Sequence, residues 1–419
     1  MLVTFRGLTP PLAFCTTHDK ENIMAKKTVT DLLNLAGKKV LIRVDFNVPQ
    51  DDAGNITNDR RIRSALPTIQ HVINAGGCAI VMSHLGRPKG DPKKDAPFKM
   101  ERVALRLGEL LKKSVKCVDH VIGSDVTSAV NGLKPGEVLV LENLRFHPGE
   151  QKGDTDFAKG LAALGDVYIN DAFGTCHRTD ASMYAVPAAM SGRPRVVGFL
   201  VAKELNILGQ LLSNPPRPLI GVMGGAKVSD KMGFIKSMLQ RVDKLLIGGA
   251  MSYTFMLAKG LTIGSSKAEA DKVDLAKELL ALGGDRIVLP VDHLIADKPE
   301  ASARTSVVEG QIPAGAFGMD IGPKTIAMYS DLIRNAGTVV WNGPLGKFED
   351  EPFSKGTRSI AQAMTECKGT TIVGGGETAE AVELFKLDSK MTHVSTGGGA
   401  FLEYVEGTPF KALSVIDEK

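Results

Sequence analysis

Short β-branched runs that stop at polar or glycine residues alternate along this chain with longer stretches whose apolar residues recur at helical spacing. In the first half the runs fall at 39–44, 79–82, 138–141 and 167–169. In the second half they fall at 219–223, 244–247, 287–289, 338–341, 371–373 and 393–395. Helical periodicity marks 100–113, 230–240 and 267–282, among others. Strands that alternate with helices predict parallel sheets with right-handed crossovers, hence an α/β protein. The periodic stretch 201–212 is stopped by Ser213-Asn214-Pro215-Pro216, and a new strand pattern starts at Pro218-Leu219-Ile220. The pattern therefore predicts two doubly wound parallel-sheet (Rossmann-like) domains, 24–200 and 216–405. A connecting helix and hinge at 201–215 would join them, with a cleft between.

Composition narrows the class. A chain of 419 residues exceeds one typical core. Its net charge of +4 is spread without dense basic runs, which argues against a nucleic-acid partner. No apolar stretch reaches the roughly 18–20 residues needed to span a membrane. The five cysteines (Cys15, Cys78, Cys117, Cys176 and Cys367) form no C-x-x-C pair, so a cytoplasmic location is expected rather than a disulfide framework or a zinc site. Residues 1–23 lack a long apolar signal core and are poor in arginine, and are expected to be a disordered or spurious extension.

In open parallel sheets, ligands bind beyond the carboxyl ends of the strands. First-half strands end in Arg43-Val44-Asp45-Phe46-Asn47-Val48-Pro49, Ser83-His84-Leu85-Gly86-Arg87-Pro88, Glu142-Asn143-Leu144-Arg145-Phe146-His147 and Asn170-Asp171-Ala172-Phe173-Gly174-Thr175-Cys176-His177-Arg178. Arginine's planar fork matches phosphate and carboxylate bidentately. Arg87, Arg145 and Arg178, joined by Arg61, would together neutralise a small polyanion. Any one of them alone reads as surface ion pairing.

Second-half strands end in glycine instead: Gly224-Gly225-Ala226-Lys227, Gly248-Gly249, Gly374-Gly375-Gly376-Glu377 and Gly397-Gly398-Gly399. Glycines where a strand feeds a helix let amides approach phosphate oxygens. Lys227 and Lys231, about one turn apart, would reach one polyphosphate. No G-x-x-x-x-G-K-[ST] occurs, so the P-loop class is unsupported. Gly374-Gly375-Gly376-Glu377-Thr378-Ala379 fits a dinucleotide fingerprint, but the next strand's end lacks the acidic residue that an NAD-dependent oxidoreductase needs. Cys176 and Trp341 read as packing residues, and His84 is the one histidine with a functional reading.

These motifs, with Gly224-Gly-Ala-Lys-Val-Ser-Asp-Lys231, Val340-Trp-Asn-Gly-Pro344 and Ser395-Thr-Gly-Gly-Gly-Ala400, resemble the phosphoglycerate kinase family, in its order from Lys26 onward. The resemblance implies reversible phosphoryl transfer from 1,3-bisphosphoglycerate to ADP, giving 3-phosphoglycerate and ATP, by a monomer. A non-catalytic phosphometabolite-binding protein is the other reading. The kinase resemblance implies that Asp45, Asn47, Arg61, His84, Arg87, Arg145 and Arg178 hold the acid substrate. It further implies that Lys227, Lys231, Gly318, Asn342, Glu349, Gly374, Gly375, Gly376, Glu377 and Thr378 hold ADP or ATP with Mg2+. Arg61 and Lys227 would be catalytic, and Gly397, Gly398 and Gly399 would meet the transferring phosphate. Residues 406–419 would return to the first domain. Glu377 stands where the family usually has aspartate, so its metal contact is direct or through water. Asp180, at a position often basic or neutral, would trim the positive patch or pair with Arg178.

Overall fold

The computed structural model describes residues 26–419, and the expectation for 1–23 lies outside them. The first sheet holds β1 (Lys39–Val44), β2 (Cys78–Met82), β3 (Val115–Cys117), β4 (Val138–Val140), β5 (Val167–Asp171) and β6 (Arg195–Val197), all parallel, in the order β3-β4-β2-β1-β5-β6. The near-continuous apolar runs of β1, β2 and β5 are buried on both faces, as a helix-covered parallel sheet requires.

The second sheet begins with β7 (Leu219–Met223), β8 (Lys244–Ile247) and β9 (Ile287–Val288). Three antiparallel strands follow as a separate small sheet, β10 (Asp292–Ala296), β11 (Thr305–Glu309) and β12 (Phe317–Ile321). The chain then returns with β13 (Thr338–Asn342), β14 (Thr370–Gly374) and β15 (His393–Val394), giving the order β15-β14-β13-β7-β8-β9. Counted within the lobe this is 6-5-4-1-2-3, the doubly wound nucleotide-binding order.

In each sheet one strand pair marks the reversal of winding, β1/β5 in the first and β7/β13 in the second. Ligand crevices form beyond such pairs.

The helix Phe199–Ser213 joins the lobes. Its Val201, Leu205 and Leu208 lie in one apolar core that takes in Phe173 from the first lobe and Phe234, Phe401 and Tyr404 from the second. Burial at about 25 cal/mol per Å2 of apolar surface is what holds this junction. The C-terminal segment lies on the first lobe: Lys27 N–H donates to the Asp417 carbonyl at 2.8 Å, and Arg195 pairs with the Asp417 carboxylate at 2.8 Å.

Candidate functional site

The loops after β1, β2 and β4 are tied to one another by buried polar side chains. Asn143, fully buried, donates to the carbonyls of Leu85 and Phe98 and accepts from the Leu85 and Arg145 amides. Asn47 Oδ1 accepts from Gly86 N–H at 2.8 Å, and the Gly86 carbonyl accepts from Arg145 Nη1 at 2.8 Å. Arg145 keeps a buried Nε without a partner. Asp45 accepts from Arg61 at 2.6 Å. Burial opposes ionisation of Asp45, but Arg61, then His84 and Arg43, outweigh it and hold its carboxyl below the usual range.

His84 is almost sealed from solvent. Burial, with Arg43, Arg145 and Arg178, pushes its pKa down to about 3 against the pull of Asp45. The imidazole is therefore neutral near pH 7. Its Nδ1 faces Arg43 Nη2 at 3.4 Å, so the ring proton belongs on Nε2.

Burial, then the nearby Arg178, disfavours the charge of Arg145, and Arg87 is exposed. Asp180 is buried with one oxygen unpartnered and forms no ion pair with Arg178 among the described residues. Its charge instead offsets that of Arg145. Of the two expectations for Asp180, pairing is the one the geometry does not support. Cys176 is buried against Asn170 and its thiol is pushed up to about 12 by that burial, a packing role. Trp341 is wholly buried and donates to the Gly343 carbonyl.

In the second lobe the four glycine clusters divide into two kinds. A Cβ on Gly224 would lie 2.1 Å from the Pro344 carbonyl oxygen, and one on Gly249 would lie 2.6 Å from the Gly225 nitrogen. These two clusters are consumed by backbone crossing backbone. Gly376, Gly398 and Gly399 instead face open space to 4 Å, at the starts of the helices Gly376–Leu384 and Gly399–Glu406. Gly375 (φ 91°) and Gly398 (φ 50°) take the left-handed turn that introduces each helix.

Asn342 donates to the Gly374 carbonyl, and Thr378 Oγ1 accepts from Gly343 N–H at 2.6 Å, which binds the ends of β13 and β14 together. Lys231 folds back to donate to the Gly224 carbonyl at 2.8 Å; burial pushes its ammonium down to about 8, with Glu377 and Asp230 pulling the other way. Lys227, Glu349 and Glu377 are exposed. Gly318 lies on β12 with its amide bound to Ser266 Oγ at 2.8 Å.

Among the described residues no three His, Cys, Asp or Glu side chains converge as a dedicated metal cage would. Glu377, a lone carboxylate at a helix start beside Lys231, suits a hard cation that draws its other ligands from polyphosphate and water.

The lobes meet at Gly174. A Cβ there would lie 2.7 Å from Asp45 Oδ2 and 3.1 Å from the Thr396 carbonyl, and one on Gly397 would lie 2.7 Å from the Phe173 ring. The arginine-rich pocket and the glycine-rich turn thus share a wall. Sequence reading missed the groups that hold this wall. Glu204, fully buried in the connecting helix, accepts from His393 Nε2 (2.7 Å), Ser395 Oγ (3.1 Å) and Thr396 N–H (2.9 Å). It missed Arg43 too, whose Nε donates to Ser182 Oγ at 2.7 Å, which in turn donates to Glu150 at 2.6 Å.

The family model described as phosphoglycerate kinase matches residues 29–408. A phosphoglycerate kinase of Rhodopirellula baltica is 52% identical over 398 residues, covering 94% of this chain and all of the relative. One of Latilactobacillus sakei is 48% identical over 406 residues, with the same coverage. Among solved structures, phosphoglycerate kinase from Coxiella burnetii superposes with a TM-score of 0.82 at 38% identity, over 93% of this chain and 98% of that one.

Proposed function

The chain belongs to the phosphoglycerate kinase family, and from that premise we propose how its lobes divide the reaction. The reaction itself is reversible phosphoryl transfer from 1,3-bisphosphoglycerate to ADP, and the carboxyl group of 3-phosphoglycerate is the acceptor when ATP is the donor. The arginine-rich lobe takes the phosphoglycerate: Arg87, Arg145 and Arg178 neutralise its anionic groups, while Asp45, Asn47 and neutral His84 orient it. The glycine-rich lobe takes the nucleotide on Lys231, Gly318, Asn342, Glu349 and the Gly374–Thr378 turn.

Phosphoryl transfer asks a protein for alignment and charge neutralisation more than for covalent chemistry. Both nucleophiles, a carboxylate and a phosphate oxygen, are already anionic, so no general base is required. Arg61 and Lys227 hold the migrating phosphoryl oxygens, and the helix start at Gly397–Gly399 adds amide donors. Glu377 would hold Mg2+, directly or through water, and a bound Mg2+ would supply charge neutralisation on the polyphosphate. Closure of the lobes excludes water that otherwise hydrolyses an acyl phosphate. We place the enzyme in the cytoplasm, supported by the four free cysteines among the described residues, with domains at 24–200 and 216–405, supported by the two separate sheets, and take the monomer from the family resemblance.

The observation that carries this reading is the shared wall at Gly174, where Asp45 of one pocket and Thr396 of the other approach a single point. The test is a coupled assay of ATP consumption. Turnover that requires 3-phosphoglycerate supports it, and binding of 3-phosphoglycerate without ATP turnover would return the chain to the phosphometabolite-binding class.

A further inference from the structure

Lys227 is exposed, so its aim is set by the backbone that carries it rather than by side-chain contacts. That backbone is held from outside its own segment. Glu269 Oε2 accepts from Val228 N–H at 2.6 Å and from Ser229 N–H at 3.1 Å, and its Oε1 accepts from Ser229 Oγ at 2.5 Å. These are orphan donors at the start of the 3-10 turn Ser229–Lys231, which leads into the helix Met232–Leu239. Ala226 and Val228 carry no side-chain acceptor, and neither Ser229 nor Asp230 turns its own oxygen to these amides. A carboxylate forty-one positions away in sequence does so instead. The Val228 side chain is fully buried beneath the turn, so the segment is pinned on two sides.

The loop that brings Glu269 also grips the rest of the nucleotide lobe. Glu269 N–H donates to Oγ1 of Thr254, which is fully buried in the helix that follows Gly248-Gly249. Ser266 Oγ accepts from Gly318 N–H at 2.8 Å, and Ser265 N–H donates to the Ala316 carbonyl at 2.8 Å. Five consecutive residues, 265–269, therefore register the lysine turn against β12 and against the β8 end.

We propose that Glu269 is a positioning residue for phosphoryl transfer: it fixes the Val228–Ser229 amides and so aims Lys227 at the phosphates, while the same loop sets Gly318 at the matching distance. The proposal rests on the assignment of Lys227 above. Charge-assisted hydrogen bonds to amides are short and directional, as these are, and small errors in the placement of a transferring group lower rates steeply.

The test uses the full chain and steady-state kinetics with ATP and 3-phosphoglycerate for Lys227→Ala, Glu269→Gln, Glu269→Ala and the double variant Lys227→Ala/Glu269→Ala. Glu269→Ala is expected to lower kcat roughly tenfold with KM for 3-phosphoglycerate unchanged, and Glu269→Gln, which keeps one acceptor oxygen, to recover most of the loss. In the Lys227→Ala background the second change is expected to add less than about twofold, since a group acting through Lys227 has nothing left to aim. Full multiplicative losses in the double variant overturn the proposal, as does wild-type kcat in Glu269→Ala beside an impaired Lys227→Ala. Wild-type turnover by Lys227→Ala removes the underlying assignment, and this proposal with it. Should Glu269→Ala fail to fold, Ser229→Ala deletes the 2.5 Å hydroxyl contact alone and is expected to reproduce the pattern at a few-fold scale.

Discussion

Glu204 and His393 meet across the junction of the two lobes with a 2.7 Å contact, both side chains sealed from solvent. They are 189 positions apart in sequence. The same carboxylate accepts from Ser395 and Thr396, the residues that enter the Gly397–Gly399 turn. The connecting helix therefore holds more than the relative placement of two cores: it fixes the first residues of the turn assigned to the transferring phosphate.

Removing that carboxylate strands several buried donors at once. Glu204→Ala is expected to destabilise by about 3–5 kcal/mol, because several buried donors lose their acceptor at about 1–3 kcal/mol each, and to depress turnover. Lys203→Ala, one residue away and exposed, is expected to stay within about 0.5 kcal/mol of wild type. Chemical denaturation of the three proteins checks this, and equal midpoints for the two variants would contradict it.

A second expectation concerns the two cations assigned to the migrating phosphoryl group. Arg61 is held at 2.6 Å by Asp45, whereas Lys227 is exposed. Arg61→Ala and Lys227→Ala are each expected to lose on the order of 10²–10³ in kcat, the scale for one preorganised donor. Single-turnover rates measure this without interference from product release. Near-normal rates in both would sink the assignment.

Most of the sheet framework was legible because its strands are unbroken apolar runs: β1, β7 and β8 have the bounds that the pattern predicts. The strands that escaped, Asp292–Ala296 and Phe317–Ile321 among them, mix polar residues or glycine into short segments. Val115-Lys116-Cys117 is a partly exposed edge, Arg195–Val197 is three residues long, and Thr305–Glu309 is mostly exposed. The candidate site divides along the same physical line. Charged residues that follow a strand announce themselves, because position and chemistry coincide in one short motif. Glu150, Glu204 and Glu269 do not. Each looks like an ordinary surface acid until the fold brings it to donors 32, 189 or 41 residues away. The glycine clusters show the converse, since Gly224-Gly225 and Gly374-Gly375-Gly376 read alike in sequence while only the second turn has open space before it.

Asp171 gives a pH dependence with a definite sign. It is fully buried at the end of β5, accepts from the Leu200 and Val201 amides at the start of the connecting helix, and leaves Oδ2 without a partner. Burial, partly offset by Thr68 and those amides, raises its pKa to about 7. An unfolded aspartate titrates near ~3.9. The folded state therefore holds a proton that the unfolded state has released, and the associated stability, full below ~4, is lost as pH rises through about 7. Asp171→Asn, which has no proton to lose, is expected to gain stability relative to wild type at pH 8 compared with pH 5. Parallel stability profiles across that window would refute the assignment.

The exposed carboxylate of Glu377 opens the helix Gly376–Leu384 and pulls the Lys231 ammonium upward in pKa. It is one methylene longer than the aspartate that the resemblance leads one to expect, which displaces its oxygens by about 1.5 Å along the side chain. Mg2+ demands near-ideal octahedral geometry and gives up water reluctantly, so a shift of that size separates direct ligation from contact through a water. Glu377→Asp shortens the reach without changing charge, and Glu377→Gln removes the charge without changing the reach. If the carboxylate serves the cation, both variants are expected to shift the magnesium concentration for half-maximal rate, Gln by more than Asp, while KM for 3-phosphoglycerate holds constant. A magnesium titration indistinguishable from wild type in both would leave Glu377 only the helix-start role, for which a carboxylate is favoured by the dipole alone.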